Sequence, residues 1–117
     1  MKYAYLLVLA SSLSLLGACA STGSGKAALG SQANPIKVHQ PYGQRAYLAR
    51  LVCPDGGSPS FKRVGSFGQH ADGHIYDGYE VTCQDHPSQM IFMDMYHPNH
   101  VENRAPEGFS LATSPRA

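Results

Sequence analysis

Two thioether and two imidazole side chains lie close together in the carboxyl-terminal part of the chain, at Met93, Met95, His97 and His100. Alternate residues of a β-strand share a face, so Met93, Met95 and His97 would point to one side. His100 could then fold back from the loop that follows Pro98. Soft thioether sulfur selects Cu(I), and imidazole binds copper in either oxidation state. The spacing is therefore compatible with a copper site.

The same four residues also fit ordinary structural roles. Methionine often fills irregular gaps in small cores, because its side chain is flexible. An imidazole directly before a proline, as at His97, is typical of the surface end of a strand. The segment also lacks the repeated Met and His ligands of compact copper motifs. We favour the core interpretation and keep copper as the alternative.

A second group of polar side chains, His70, Asp72 and His74, lies in a glycine-rich stretch. An oxygen and a nitrogen ligand two residues apart suit a zinc site or a general base. Loops between strands also collect such residues without any chemical role. The pattern alone favours this second interpretation.

Residues for nucleophilic or acid–base catalysis form no known pattern. No serine lies in a Gly-x-Ser-x-Gly or Ser-x-x-Lys motif. The serines considered are Ser58, Ser60, Ser66, Ser88 and Ser110. The carboxylates Glu80, Asp94 and Glu102 are too widely spaced to nominate as a pair. We therefore predict that the protein is not an enzyme.

A β-hairpin is the element that would position most of these side chains. Residues 74–84 alternate between two faces and are rich in β-forming types, 84–88 read as a turn, and 89–96 return as the second arm. The predicted fold is a small β-rich α+β domain, with an antiparallel sheet that contains the hairpin 74–84/89–96.

Two further segments are less decisive. Residues 47–53 read as a strand, although a short amphipathic helix over 44–51 fits almost as well. Residues 60–67 read as a short strand that carries Phe61 and Val64.

Asp77 breaks the alternation, because it shares a face with Val81 and Cys83. Either the strand begins later, near Gly78, or the carboxylate is buried beside a cation. The simpler explanation, which we favour, is that the strand begins near Gly78 and that Asp77 lies at the edge of the preceding loop. The candidate cations for the other explanation are Arg50, Lys62 and Arg63.

The first 18 residues have the anatomy of a secretory signal peptide. A basic start at Lys2 precedes an apolar run over 3–16, which is too short to span a hydrocarbon core of about 30 Å. The Leu-Gly-Ala-Cys sequence at 16–19 resembles the lipobox of bacterial lipoproteins. An ordinary signal peptide, cut after Ala18 or Ala20, is the alternative.

The lipobox resemblance implies that residues 1–18 are removed. It also implies that the Cys19 sulfur carries a diacylglycerol thioether and that its amino group is acylated with a palmitate-type chain. Two or more acyl chains anchor a protein stably. Residues Ala20 and Ser21 lack the aspartate that commonly retains such proteins in the inner membrane. The implied location is the outer membrane, facing the periplasm.

With Cys19 lipidated, Cys53 and Cys83 remain as an even pair in an oxidising compartment. We expect a disulfide between them. The competing interpretation, a redox or zinc thiol pair, lacks the short Cys-x-x-Cys spacing that such sites favour.

Composition and charge bound the remaining possibilities. Without the signal peptide, which contains Lys2, the chain has eight basic and eight acidic residues. This balance argues against nucleic-acid binding.

The rest of the chain divides into three parts. Residues 19–35 are predicted to form the lipidated cysteine and a flexible tether, 36–112 a single small domain, and 113–117 a frayed tail.

Four short segments of the domain resemble a type of small lipoprotein found in Gram-negative bacteria. They lie at 53–56, 72–74, 79–83 and 93–97, so that the similarity covers residues 50–100 or so. The resemblance brings no known activity. A small core cannot bury every aromatic side chain, and exposed aromatics suit contact with a partner. We therefore expect a non-enzymatic envelope module that binds an unidentified envelope protein.

Overall fold

The computed structural model of the chain describes residues 27–115. The predicted signal peptide, the lipobox and Cys19 lie outside the described residues, as does the end of the predicted tail. Among residues 27–115, no helix combines the length and the apolar composition needed to cross a bilayer.

The domain is built from six strands and one helix. In chain order these are β1 (Ile36–Lys37), α1 (Gln40–Leu48), β2 (Leu51–Val52), β3 (Ser60–Gln69), β4 (Ile75–Thr82), β5 (Gln89–Asp94) and β6 (Ser110–Leu111). Four strands form one sheet in the order β1-β5-β4-β3, and β2 pairs with β6 in a second sheet. β1 is parallel to β5, while the other pairs are antiparallel.

The predicted hairpin is confirmed by β4 and β5. Tyr79 is in register with Ile91, and Asp77 with Met93, so these residues share one face of the sheet. That face packs against α1, as expected for a strand that alternates between two environments. Asp85 adopts a left-handed backbone conformation in the connecting turn.

The hydrophobic core lies between this face of the large sheet and α1. Leu29, Met95, Phe109 and Leu111 pack around its margin. Its buried members are Ile36, Val38, Tyr47, Leu48, Leu51, Tyr79, Val81, Ile91 and Met93.

The disulfide between Cys53 and Cys83 is confirmed. It joins the segment after β2 to the end of β4, and both cysteines are buried. The two Cα atoms are 5.8 Å apart, within the usual range for a cystine.

The preferred strand over 47–53 is wrong, because only Leu51–Val52 form a strand there and Tyr47 and Leu48 belong to α1. The helix alternative is nearer, but α1 begins at Gln40 and not at 44. Pro41 occupies the start of the helix, where its missing N–H costs no hydrogen bond. Tyr47 and Leu48 then turn inward to the core.

The preferred loop-edge explanation for Asp77 is also wrong. β4 begins at Ile75, and Asp77 is a buried residue within it. Arg63 is its ion-pair partner, at 3.1 Å. This is one of the three cations that the sequence offered.

The predicted tether ends earlier than Pro35. Leu29 packs against the core, and Gly30 and Pro35 are buried. The Gly30 carbonyl accepts a hydrogen bond from the Phe92 N–H at 2.7 Å, which ties this turn to β5. Short apolar residues between glycines give no periodicity, so this docking could not be predicted.

Candidate metal centre

His74, Asp94 and His97 meet on the outer face of the sheet, opposite α1. The Oδ2 atom of Asp94 lies 2.7 Å from Nδ1 of His74 and 2.8 Å from Nε2 of His97. One ligand atom from each residue lies within 4.8 Å of the other two. The group therefore brings two imidazole nitrogens and one carboxylate oxygen close together.

Strand alternation and the end of β5 explain this convergence. Met93 faces the core, so Asp94, the next residue, faces outward. β5 stops at Asp94, and the Asp94 Oδ1 atom then accepts the Tyr96 N–H. The His97 N–H donates to the Val38 carbonyl at 3.0 Å, which fixes the backbone beside Asp94.

Asp94 is a buried carboxylate without a conventional cation. Only 1% of its side chain is exposed, and no Lys or Arg forms an ion pair with it among residues 27–115. Burial of an uncompensated carboxylate is costly. The two imidazoles and the Tyr96 N–H are the groups that compensate it.

A tight turn before β4 positions His74. Gly73 has a φ of 84°, a conformation that glycine adopts readily. The Asp72 Oδ1 atom accepts the backbone N–H of His74, and its Oδ2 atom accepts the hydroxyl of Tyr76, both at 2.9 Å. The imidazole of His74 is thereby held between two carboxylates, because its Nδ1 also lies 3.6 Å from Asp72 Oδ2.

These contacts change proton affinities in the directions expected. The hydrogen bond to Asp94 raises the pKa of His74 above its ordinary value. The hydrogen bond from the His74 backbone lowers the pKa of Asp72. Burial, followed by the hydrogen bond to Asp72, raises the pKa of Tyr76 to about 12.

His70, the remaining member of the second predicted group, contacts Tyr76 and not the three converging residues. Its ring stacks on Tyr76 with centroids 3.7 Å apart and an interplanar angle of 13°. Its Nε2 atom is buried and has no hydrogen-bond partner in the described part of the chain. His70 thus supports Tyr76, while His74 belongs to the centre itself and Asp72 lies beside it.

The four predicted copper ligands occupy different environments. Met93 is fully buried in the core, and Met95 packs at its margin. His97 instead contacts Asp94, and His100 contacts Glu102 at 3.3 Å. The expectation that His97 shares the Met93 face is wrong, because β5 ends before it.

The geometry can be compared with a tetrahedral metal site. Donor atoms bound at about 2.0–2.1 Å lie roughly 3.3 Å apart in such a site. The observed separations of 2.7 and 2.8 Å from Asp94 are those of hydrogen bonds. A metal ion would replace both hydrogen bonds and require each pair to open by about half an ångström. Rotation of the partly exposed His74 and His97 side chains can supply that change.

Asp94 is the residue that sequence reasoning missed. Asp94 is too far along the chain from Glu80 and Glu102 to be predicted as part of a catalytic carboxylate pair. It also belongs to no ligand motif. A signal was nevertheless present, since a charged residue between Met93 and Met95 must face away from the core. His74 was in one predicted group and His97 in the other, and only the strand pairing brings them together.

Comparison with protein-family models, with curated proteins and with solved structures found no match.

Proposed function

We propose that the folded domain binds a divalent transition-metal ion through His74, Asp94 and His97. The observation that carries this proposal is the placement of two imidazole nitrogens on one buried carboxylate oxygen. That carboxylate has no Lys or Arg partner among residues 27–115, so a bound cation would supply the positive charge that otherwise only a protonated imidazole provides. A water molecule or the nearby Asp72 carboxylate would complete four-coordination.

The donor types favour Zn²⁺ over Cu(I). Imidazole and carboxylate suit zinc and the other borderline divalent ions, whereas Cu(I) prefers thioether and thiolate sulfur. The thioether of Met93 lies on the other face of the sheet, within the core. Because both imidazoles must present a free nitrogen lone pair, metal ions would compete with protons at this centre.

The proposed setting is the bacterial envelope, with Cys19 as the lipid-bearing residue and the domain facing the periplasm from the outer membrane. The lipobox at 16–19 supports this, and the Cys53–Cys83 disulfide suits an oxidising compartment. Mass spectrometry of the native protein should find diacylglycerol and acyl chains on Cys19. A thiol at that position in membrane-free protein would exclude the anchor without affecting the metal proposal.

Calorimetric titration with Zn²⁺, Ni²⁺ and Cu²⁺ tests metal binding. We expect one ion per chain for the intact protein and at least a tenfold weaker affinity, or about 1.4 kcal/mol, for His97→Ala. Asp94→Asn should weaken binding as much, because it removes the anionic donor. His86→Ala is the matched control: it removes an exposed imidazole in the turn between β4 and β5, at the opposite end of the hairpin from the centre, and should leave the affinity unchanged.

A second measurement distinguishes the loss of a metal ligand from misfolding of the variant. An ion present at 100 times its dissociation constant should raise the unfolding free energy by about 2.7 kcal/mol in the intact protein. His97→Ala should unfold cooperatively yet gain little from the ion. Equal affinity for His97→Ala and His86→Ala would refute the site, as would no binding at all by the intact protein.

A second candidate function, recognition of an envelope protein, is favoured by the open edge of the large sheet. β3 is the last strand in the order, and every residue in it except Gly65 is exposed. Val64, with 52% of its surface exposed, lies near its middle. Exposed strand edges can pair with an added strand from another protein.

Affinity capture from solubilised envelope tests this second candidate. Val64→Asp should abolish co-purification of a specific partner, because it places a carboxylate in the middle of the edge. Val101→Asp is the control, since Val101 is 72% exposed and lies outside the sheet. The proposal is wrong if both variants retain the same partner or if the intact chain captures nothing above background.

A further inference from the structure

A cleft of about 390 Å³ lies on the α1 side of the large sheet. α1, β3 and β4 form its sides, and the residues after β5 close one end. Its lining combines a buried polar floor, two guanidinium groups and an apolar wall. Its lining includes Arg45, Arg63, Asp77, Ile75 and Tyr96.

Asp77 forms the floor and is fully engaged there. Its Oδ2 atom accepts the Gln44 side-chain amide at 2.9 Å. Its Oδ1 atom accepts Arg63 and the Ser66 hydroxyl, each at 3.1 Å. The Tyr79 hydroxyl donates to the other end of the Gln44 amide. This network satisfies the carboxylate in the lining of the cleft and orients the groups above it.

The two guanidinium groups leave the cleft with an excess positive charge. Arg45 is exposed on α1, and its guanidinium has no hydrogen-bond or ion-pair partner among residues 27–115. Arg63 uses one terminal nitrogen for Asp77 and Ser66, and its other N–H donors have no partner among residues 27–115. Both guanidinium charges act on the hydroxyl of Tyr79. Burial raises the pKa of Tyr79, and Arg63 and Arg45 oppose that increase.

The walls offer apolar contact beside this charge. Ile75 is 43% exposed and Tyr96 is 46% exposed, although both are large side chains. Met95 contributes to the same lining and packs at the core margin. A ligand that fits must therefore pair an anionic group with an apolar body.

We propose that this cleft binds a carboxylate carried on an apolar stem, with Arg45 and the free N–H groups of Arg63 holding the carboxylate. The planar guanidinium matches a carboxylate with two parallel hydrogen bonds. Ile75 and Tyr96 cover the apolar stem. The carboxylate could belong to a free small acid or to the carboxyl terminus of a peptide, and the chemistry is the same for both.

The experiment is a titration of the isotope-labelled full chain followed by NMR amide shifts. N-acetyl-leucine is the small-acid probe, and N-acetyl-leucinamide is its uncharged counterpart. A pentapeptide ending in leucine, with a free or an amidated carboxyl terminus, distinguishes the peptide source. We expect shifts confined to residues of the cleft, saturable binding by at least one free acid, and at least tenfold weaker binding of its amide.

Arg45→Gln should weaken binding of the acid at least tenfold without unfolding the domain, because this side chain is exposed. Lys62→Gln is the control: it removes the same charge from β3 but points to the opposite face, where it pairs with Glu80. The proposal is overturned if the amides bind as tightly as the acids, if Arg45→Gln has no effect, or if no probe binds at about 10 mM.

Discussion

Glu102 should make the stability of the domain depend on pH, because it is ionised and buried in the folded state. Arg104 donates to Oε1 from its Nε and backbone N–H at 2.9 and 3.1 Å, and to Oε2 from its terminal nitrogen at 3.1 Å. His100 lies 3.3 Å from Oε2. Burial alone would raise the pKa of Glu102, but these hydrogen bonds together outweigh it and lower the pKa to about 2.

The sign and size of the effect follow from linkage. A carboxyl with an ordinary pKa of 4.5 in the unfolded chain and about 2 in the folded one stabilises the fold at pH values above 4.5. Its contribution is lost as the pH falls through 2. A tenfold change in proton affinity is worth about 1.4 kcal/mol, so the contribution is about 3 kcal/mol at pH 7 and falls to about 1 kcal/mol at pH 3. Arg104 is 66% exposed, so solvent screening should reduce the larger value to about 2 kcal/mol.

Urea unfolding of the intact protein and Glu102→Gln at pH 7 and pH 3 measures this contribution. The difference in unfolding free energy between the two proteins should shrink by about 1 to 2 kcal/mol at the lower pH, because glutamine does not titrate. Glu107→Gln is the control at an exposed position and should differ little from the intact protein at either pH. A difference for Glu102→Gln that is equal at both pH values would refute the reasoning.

Two other perturbations have expected sizes. Reduction of the Cys53–Cys83 disulfide opens a loop of 30 residues and should lower the unfolding free energy by about 3 to 4 kcal/mol in urea denaturation; a loss below about 1 kcal/mol would contradict the chain-entropy argument. Gly78→Ala should cost about 1 to 3 kcal/mol, because the new methyl group would overlap the Phe67 ring that lies over Gly78. Gly43→Ala is its control in α1, where the methyl group meets Val38 at an ordinary 3.5 Å and should stabilise by about 0.5 to 1 kcal/mol; thermal unfolding should rank the two variants oppositely.

Local patterns were enough to predict the hairpin and the disulfide. The alternation over 74–84 predicted the faces of β4, and Tyr79 and Val81 lie in the core as expected. Once the lipobox resemblance assigns Cys19 to the lipid, Cys53 and Cys83 are the two cysteines left to pair. The hairpin depends on residues that are neighbours in sequence, and the disulfide depends only on which two cysteines remain to pair.

Features that depend on distant contacts were not predictable. Asp77 lies inside β4 because Gln44 of α1 and Arg63 of β3 satisfy it, and neither is near it in the chain. The candidate metal centre joins His74 before β4 to Asp94 and His97 at the end of β5. Strand register decides which side chains meet, and a single sequence specifies that register weakly where turns are long.

The shortest pairing in the large sheet also decides how the domain would respond to mechanical load. β1 shares only two register pairs with β5, and one of them joins Lys37 to Asp94. The next residue, Val38, donates its N–H to the Asp94 carbonyl and accepts the N–H of His97. Once the turn at Gly30 is released from β5, a pull on the amino-terminal end of the domain would therefore act next on the backbone that holds two of the three candidate metal ligands, before it reached the longer antiparallel ladders.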